Sequence, residues 1–208
     1  MIRWVLICLA CLTGPAAATQ DQWPALFDVA GVAADDVLNI RAEPSASAPI
    51  VGTLAPDAVD IEVIRPNPRE LWGLVNVEDG TGWVSLSYLR RQPGQYLGAL
   101  LEPRTCVGTE PFWSLSLTDA ARVTYEVAAD QTVLEGTVPG RFRSANRRDV
   151  EALSLTFFDG TTGTAFLRLD QCSDGMSDRA FGISIDLLLK HPERPVTPSL
   201  VSGCCSLN

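Results

Sequence analysis

The 208-residue sequence has little that could support catalysis, because it contains one histidine, His191, between Lys190 and Pro192. A serine triad, a papain-like Cys-His pair and a zinc amidase all need histidine beside further ligands or nucleophiles. Beyond residues 1–18, which read as a leader peptide, the sequence has no C-x-x-C pair, which argues against a zinc site and a thioredoxin-like site. No pair of carboxylates stands out for a glycosidase. We therefore expect no catalytic residue, no bound metal and no cofactor.

Long apolar runs are absent after the first residues of the chain. Residues 1–18 begin with Arg3, continue with an apolar run and end in small residues at Ala16 and Ala18. This order predicts a secretory signal peptide cleaved after Ala18. The alternatives are a retained anchor or lipidation at Cys8 or Cys11. No later stretch reaches membrane-spanning length, so the sequence predicts a periplasmic or secreted protein with no integral membrane span.

The charge balance is acidic, with a formal net charge of −9 at pH 7. Loss of Arg3 with the leader leaves 15 basic against 25 acidic residues, a net charge of −10. Such a surface repels nucleic acid, which is therefore not an expected partner. The apolar fraction of 46% is sufficient for packed cores. The oligomeric state is not indicated.

Short alternating apolar segments predict an all-β chain with two regions. Residues 24–92 contain five such segments, which indicates a small β-barrel. Residues 93–104, with Pro93, Gly94 and Pro103, have no strong period and form a predicted linker. Residues 105–208 alternate more regularly and predict a second antiparallel barrel or sandwich, with the arginines of "GRFRSANRRD" in a solvated loop.

The first region carries a specific combination of segments: "VLNIRAEPSASAPIVGTL", then "WGLVNV", then "DGTGWVSLSYL". Together they resemble the bacterial SH3 domain family. Gly80 and Gly82 are expected to allow the reversal before Trp83. The expected core consists of Val37, Leu38, Ile40, Val51, Leu54, Ile61, Val63, Val75, Val77 and Val84.

The resemblance implies a binding or targeting module for a cell-wall peptide or an envelope protein. The aromatic residues that it suggests for a ligand groove are Trp72 and Tyr88, with Trp83 as a weaker candidate. Aromatic faces suit an extended ligand because they bury area at a small cost in side-chain entropy. The alternative is that these aromatics only cover a small core.

Three segments stand out in the second region: "CVGTEPFWSL", "CSDGMSDRAFGISIDLLL" and "SGCC". They resemble a family of bacterial envelope proteins, often lipoproteins, with a G-x-E-P-x-W start, a C-x-D-x-M-S stretch and a terminal G-C-C or G-C-G. The resemblance implies no settled activity. The proline-rich "KHPERPVTPSL" replaces the short hairpin that the family has before G-C-C.

Four cysteines remain beyond the leader: Cys106, Cys172, Cys204 and Cys205. An even number in an exported chain predicts disulfides. Adjacent residues of a strand face opposite ways, so Cys204 and Cys205 should have separate partners, which leaves two connectivities. The family resemblance implies that Cys172 pairs with a terminal cysteine, and it favours Cys172 with Cys204 and Cys106 with Cys205.

The remaining candidates lie in the two motifs. Glu110 is either a carboxylate at the edge of a ligand pocket, beside Pro111 and Trp113, or a turn residue that accepts backbone hydrogen bonds. Asp174 and Asp178 are expected to be turn residues that satisfy loop backbone.

The favoured hypothesis is a non-catalytic envelope protein whose first region binds or targets to a ligand, with a second region of unknown binding or structural role. The alternative is an inhibitor or sensor of a wall-lytic enzyme that acts through the second region.

Overall fold

The computed structural model describes residues 21–99, 101–118, 121–193, 195–196 and 199–208. The predicted leader, residues 1–18, lies outside these residues. The described chain is nearly all β, which confirms the predicted fold class. No helix among the described residues has the length and apolar character needed to cross a membrane. The elements are β1 (Ala25–Val29), β2 (Leu38–Arg41), β3 (Ile50–Leu54), β4 (Ile61–Val63), β5 (Arg65–Pro66), β6 (Trp72–Val77), β7 (Gly80–Ser85), a 3-10 helix (Leu86–Tyr88), β8 (Leu89–Arg91), β9 (Thr105–Gly108), β10 (Trp113–Thr118), β11 (Arg122–Val127), β12 (Thr132–Arg143), β13 (Val150–Phe157), β14 (Thr162–Cys172), β15 (Phe181–Lys190) and β16 (Leu200–Ser206).

Strands β1 to β8 form the first module, which has two small sheets. Their strand orders are β4-β1-β8 and β3-β2-β7-β6-β5. Burial alternates along β1 and β2, as expected for strands with one face on the core. Most of the expected core is buried or half-buried, but Val37 and Val51 are each 43% exposed. Val51 lies on the edge strand β3 and Val37 precedes β2, so the sheet does not cover them.

The β6–β7 hairpin turns differently from the sequence prediction. The residue with left-handed backbone is Glu78, at φ 51°, whereas Gly80 and Gly82 have ordinary negative φ. Gly82 is needed for another reason, because a Cβ there would overlap Cγ2 of Ile40 on the neighbouring strand β2. This glycine therefore permits close packing of the sheet and not the reversal.

Strands β9 to β16 form a closed eight-stranded barrel, in the order β10-β11-β12-β13-β14-β15-β16-β9. This resolves the predicted barrel or sandwich in favour of a barrel. The alternation of buried and exposed positions is regular, as in β10 and β13. Side chains fill the interior, as expected for eight strands. The largest fully buried ones are Phe157, Leu115, Leu153, Leu155, Leu167, Ile183, Ile185 and Leu187.

The arginine-rich segment is partly strand, which corrects the prediction of a solvated loop. Strand β12 continues to Arg143, and the side chain of Arg141 turns toward the buried Glu151. Its Nη1 lies 3.7 Å from Glu151 Oε1 and donates to the carbonyl of Leu101 at 2.8 Å. The N–H of Leu101 donates to Glu151 Oε2 at 2.9 Å. Burial raises the pKa of Glu151, opposed by the Leu101 N–H and Arg141.

The predicted linker, residues 93–104, is attached to the barrel through the hydrogen bonds of Leu101 with Glu151 and Arg141. Leu101 is 3% exposed and belongs to the barrel core. The backbone of Arg104 also pairs with Ser206 and Leu117 on either side. The segment is therefore packed where it enters the barrel.

Two disulfides connect strands within the barrel, as expected for the four cysteines. Cys106 is bonded to Cys205, and Cys172 is bonded to Cys204. Cys106 and Cys205 lie directly opposite each other on β9 and β16 and belong to the interior core. Cys204 has the opposite orientation on the same strand. It holds the end of β14 against β16.

Residues 173–180, which we call the 173–180 loop, follow the Cys172–Cys204 disulfide. The Asp174 carboxylate accepts hydrogen bonds from the backbone of Met176 and Ser177 at 3.0 Å each, and from the Ser177 hydroxyl at 2.8 Å. Asp174 is thus a turn residue, as predicted. Asp178 contributes its backbone N–H, which donates to the Asp79 carbonyl at 3.0 Å.

The loop also contributes hydrogen bonds to the contact between the first module and the barrel. The Asn76 side chain donates to the Ala180 carbonyl and accepts from the Ala180 N–H, each at 2.9 Å. Beyond the loop, Gly182 packs so closely on Pro24 that a Cβ there would lie 2.6 Å from Pro24 Cδ. Leu26 packs against the barrel core. The two units therefore share both apolar and hydrogen-bonded surface.

Glu62 on β4 is the most deeply buried acid in this contact region, at 4% exposure. Burial raises the pKa of Glu62 to about 7, against the opposing effects of the Leu207 N–H and the Arg179 charge. Between pH 4.5 and about 7, the folded state keeps a proton that the unfolded state has lost. The stability therefore falls as the pH rises through this range.

We predict that Glu62→Gln removes this pH dependence. One pKa unit corresponds to about 1.4 kcal/mol, so the variant should be more stable than the natural protein by about 3 kcal/mol at pH 8 and nearly equal at pH 4.5. The measurement is urea unfolding at both pH values. Glu43→Gln, at an exposed position, is the matched control. An equal stability difference at both pH values contradicts the prediction.

Candidate functional site

The first candidate site is a groove on the first module, which we call the aromatic groove. It encloses about 480 Å³ and is lined by Trp72, Ser85, Tyr88 and parts of the 31–46 segment. Trp72 is half-buried, and Tyr88 is 45% exposed. Two of the three predicted aromatics therefore lie on one surface, although sixteen positions separate them in the sequence.

Backbone hydrogen bonds fix the two aromatics of the groove. Trp72 begins β6, and its N–H donates to Asn67 Oδ1 at 3.1 Å. Tyr88 ends the 3-10 helix, and its carbonyl accepts from Ala30 at 2.9 Å. The second bond connects the helix to the start of the loop that forms the opposite wall.

Trp83, the weaker candidate, is not among the groove residues. It pairs with Leu74 across the β6–β7 ladder, two pairs along from Trp72 and Ser85. The Arg65 guanidinium lies over its ring, 5.2 Å from the centroid. Trp83 thus covers the sheet beside the groove and is paired with a cation of its own module.

The groove contains one charge of each sign, Asp36 and Arg41. Arg41 Nη1 donates to the Ala48 carbonyl at 2.7 Å, which holds the side chain against the 44–48 turn. The remaining surface consists of the two aromatics, Val37 and Leu38, and small residues. An extended segment with a flat or apolar side chain fits such a surface.

The second candidate site is a pocket of about 630 Å³ on the barrel, which we call the motif pocket. Both sequence motifs of the second region contribute to it. Thr109, Phe112 and Trp113 come from the G-x-E-P-x-W segment, and Met176 and Ser177 come from the 173–180 loop. The first module contributes Asp79 to the wall. The β11–β12 hairpin contributes Glu126, Val127, Ala128, Gln131, Thr132 and Val133.

The two motifs meet through a hydrogen bond, in which Thr109 Oγ1 donates to the Asp174 carbonyl at 3.1 Å. The Cys172–Cys204 disulfide lies two residues before Asp174 and keeps the loop in place. Because Asp174 uses its carboxylate within the loop, its pKa is lowered: burial raises it, but the hydrogen bonds from Met176 and Ser177 lower it more. Among the described residues, no group of three or more histidine, cysteine or acidic side chains could hold a metal ion.

Trp113 forms the buried base of the pocket and is 4% exposed. Its ring packs on Tyr125, with 5.9 Å between centroids, and covers Gly108 and Gly203. The indole Nε1–H has no acceptor among the described residues. Most of the Trp113 surface belongs to the barrel core, and its predicted part in ligand binding stays a prediction.

Glu110 is exposed and is not a lining residue of the pocket. It has left-handed backbone, with φ 61°. No hydrogen bond to its carboxylate occurs within the described part of the chain. Its contribution here is the shape of the turn that presents Phe112.

The sequence prediction missed the most exposed apolar walls of this pocket. Phe112, Val133 and Met176 are 53%, 56% and 65% exposed. Phe112 and Met176 lie inside the motifs, so their position there was a signal. Val133 lies at an outward-facing position of the alternating pattern of β12. That pattern predicts a surface residue, but it does not predict which surface residues line a pocket.

We predict that Gly108→Ala destabilises the base of the motif pocket. The added Cβ would overlap Trp113 Nε1 and lie 2.6 Å from the Ser202 carbonyl oxygen. We expect a loss of about 1 to 3 kcal/mol and a changed near-UV circular dichroism signal of Trp113. Gly80→Ala is the control, since the nearest atom to its Cβ, the Val77 carbonyl oxygen, is 3.9 Å away. Equal losses in both variants disprove the tight packing at Gly108.

Comparison with known proteins gives one family match, to the bacterial SH3 domain, over residues 36–90. The matched segment contains Trp72, Trp83 and Tyr88 and covers about a quarter of the chain. No curated protein and no solved structure matches the chain. The envelope-protein resemblance of residues 105–208 stays a prediction. The match supports a bacterial SH3 domain at residues 36–90, which suggests a module for binding or targeting.

Proposed function

We propose that this chain is a non-catalytic binding protein of the cell envelope. In this proposal the aromatic groove binds an extended peptide of the cell wall or of an envelope protein. The observation that carries the proposal is the joint position of Trp72 and Tyr88 on one groove within the SH3 domain segment. An aromatic pair of this kind contributes binding energy through buried area and stacking, with little conformational cost.

The compartment in this proposal is the periplasm or the cell exterior. Two disulfides support it, because structural disulfides persist in oxidising compartments. Each closes a long loop, with 32 and 99 residues of sequence separation. In the chain-entropy estimate these loops contribute about 3 to 4 and about 4 to 5 kcal/mol of stability. The fold of the barrel therefore depends on oxidation.

The second candidate function is an inhibitor or sensor of a wall-lytic enzyme, acting through the barrel. The observation that favours it is the motif pocket, a recognition surface that the SH3 domain segment reaches only through Asp79. The two functions place the ligand on different units of the chain.

We predict that Trp72→Ala lowers retention on purified peptidoglycan by at least about tenfold, because an aromatic anchor of the groove is lost. The assay is co-sedimentation of the full chain with purified wall. Leu71→Ala is the matched control, since Leu71 is the adjacent residue, is 54% exposed and does not line the groove.

Retention that is equal in both variants contradicts the role of the groove. If the natural protein is not retained but protects cells in a lysis assay with a wall-lytic enzyme, the second candidate function replaces the first.

A further inference from the structure

The motif pocket has the composition of a recognition site and lies apart from the aromatic groove. Its volume of about 630 Å³ is in the range of ligand sites. Phe112, Val133 and Met176 present apolar surface to solvent at 53%, 56% and 65% exposure. Aromatic residues and methionine are typical of protein-binding surfaces. None of the lining residues belongs to the aromatic groove.

The charges around the pocket are mainly negative. Three carboxylates line it, those of Asp79, Glu126 and Asp174, against one guanidinium, that of Arg179. Asp79 and Glu126 are exposed, and neither forms an ion pair within the described ranges. These two carboxylates are therefore available to a cation of a partner.

The single cationic residue of the lining, Arg179, interacts with residues of this chain. Arg179 lies 5.5 Å over the ring of Phe181. Its charge also adds to the lowering of the Asp174 pKa, and it opposes the rise that burial causes in the pKa of Glu62. Arg179 thus offsets acids of its own surroundings, and the free rim of the pocket keeps its negative character.

The pocket is open on one side, which decides between classes of ligand. A small molecule is usually enclosed over most of its surface. Here the apolar walls stay more than half exposed, so a small ligand would remain partly in water. A side chain that belongs to a larger partner brings further surface with it, and that surface covers the open side.

We propose that the motif pocket binds a basic segment of a partner protein. One aromatic or long aliphatic side chain of this segment contacts Phe112, Val133 and Met176. The flanking lysine or arginine side chains face the carboxylates of Asp79 and Glu126. The inference goes beyond the first proposed function, because it concerns a surface other than the aromatic groove. It also specifies the ligand chemistry of the pocket that the second candidate function uses.

The test uses the full chain and three fluorescein-labelled synthetic peptides: Lys-Lys-Trp-Lys-Lys, Lys-Lys-Ser-Lys-Lys and Glu-Glu-Trp-Glu-Glu. Fluorescence anisotropy should show the first peptide binding at least about tenfold more tightly than either of the others. Added salt should weaken this binding, because exposed charges are screened.

Two variant pairs locate the binding on the chain. Val133→Lys places a cation in the pocket and should weaken binding of the tryptophan-lysine peptide by at least about tenfold. Phe142→Lys is its matched control, because Phe142 is on the same strand, is 58% exposed and lies outside the pocket. Glu126→Gln, which keeps the shape of the side chain, should weaken binding severalfold, and Glu135→Gln outside the pocket should not.

Equal binding by Val133→Lys and Phe142→Lys overturns the proposal, as does equal affinity for the lysine and glutamate peptides, or no binding of any peptide. Should Val133→Lys fail to fold, the glutamine pair decides: equal binding by Glu126→Gln and Glu135→Gln overturns the proposal. Failure here leaves wall retention through the aromatic groove unaffected, so the two outcomes are distinguishable.

Discussion

The disulfide between Cys172 and Cys204 fixes the end of β14 against β16, and the position of the 173–180 loop follows from it. Asp174 organises the loop from within through three hydrogen bonds. Two features depend on where the loop lies. It forms one wall of the motif pocket, and it forms hydrogen bonds with the first module through Asn76 and Asp79. One covalent bond on the barrel surface therefore supports both the candidate site and the arrangement of the two units.

The terminal Cys204-Cys205 pair illustrates how a β-strand converts neighbours in sequence into two separate constraints. Cys205 points into the barrel and closes it against Cys106, while Cys204 points outward to Cys172. The alternation of side chains along a strand requires this division. The interior bond stabilises the closure of the barrel between β9 and β16, and the outer bond positions a loop. The interior bond therefore contributes to the stability of the fold, and the outer bond contributes to the shape of the barrel surface.

Much of the fold follows from the alternating pattern of the sequence. The all-β class and many interior residues of the barrel could be predicted from it, because strands such as β10, β11 and β13 have a clear buried face. The closure of the barrel could not, since the pattern does not state which strands pair. Glu78 and Gly82 show a further limit: the sequence suggests a glycine at the turn, but Gly82 is required by the approach of Ile40. The contact of Arg141 with the buried Glu151 could not be predicted from the sequence either. An arginine-rich segment indicates a solvated loop unless its buried partner is known.

The candidate sites were predictable in unequal degree. Trp72 and Tyr88 could be proposed because the SH3 pattern singles them out, and the fold brings them to one groove. The motif pocket combines segments from the first module and from three parts of the barrel, and only contact in space joins them. The Cys172–Cys204 bond supports this assembly. Hydrogen-deuterium exchange of the Asp178 and Ala180 amides in the oxidised protein and in Cys172→Ser/Cys204→Ser tests this role most directly. We expect strong protection of both amides in the oxidised protein and its loss in the variant, while exchange in the barrel interior stays slow. Unchanged protection of both amides in the variant would contradict it.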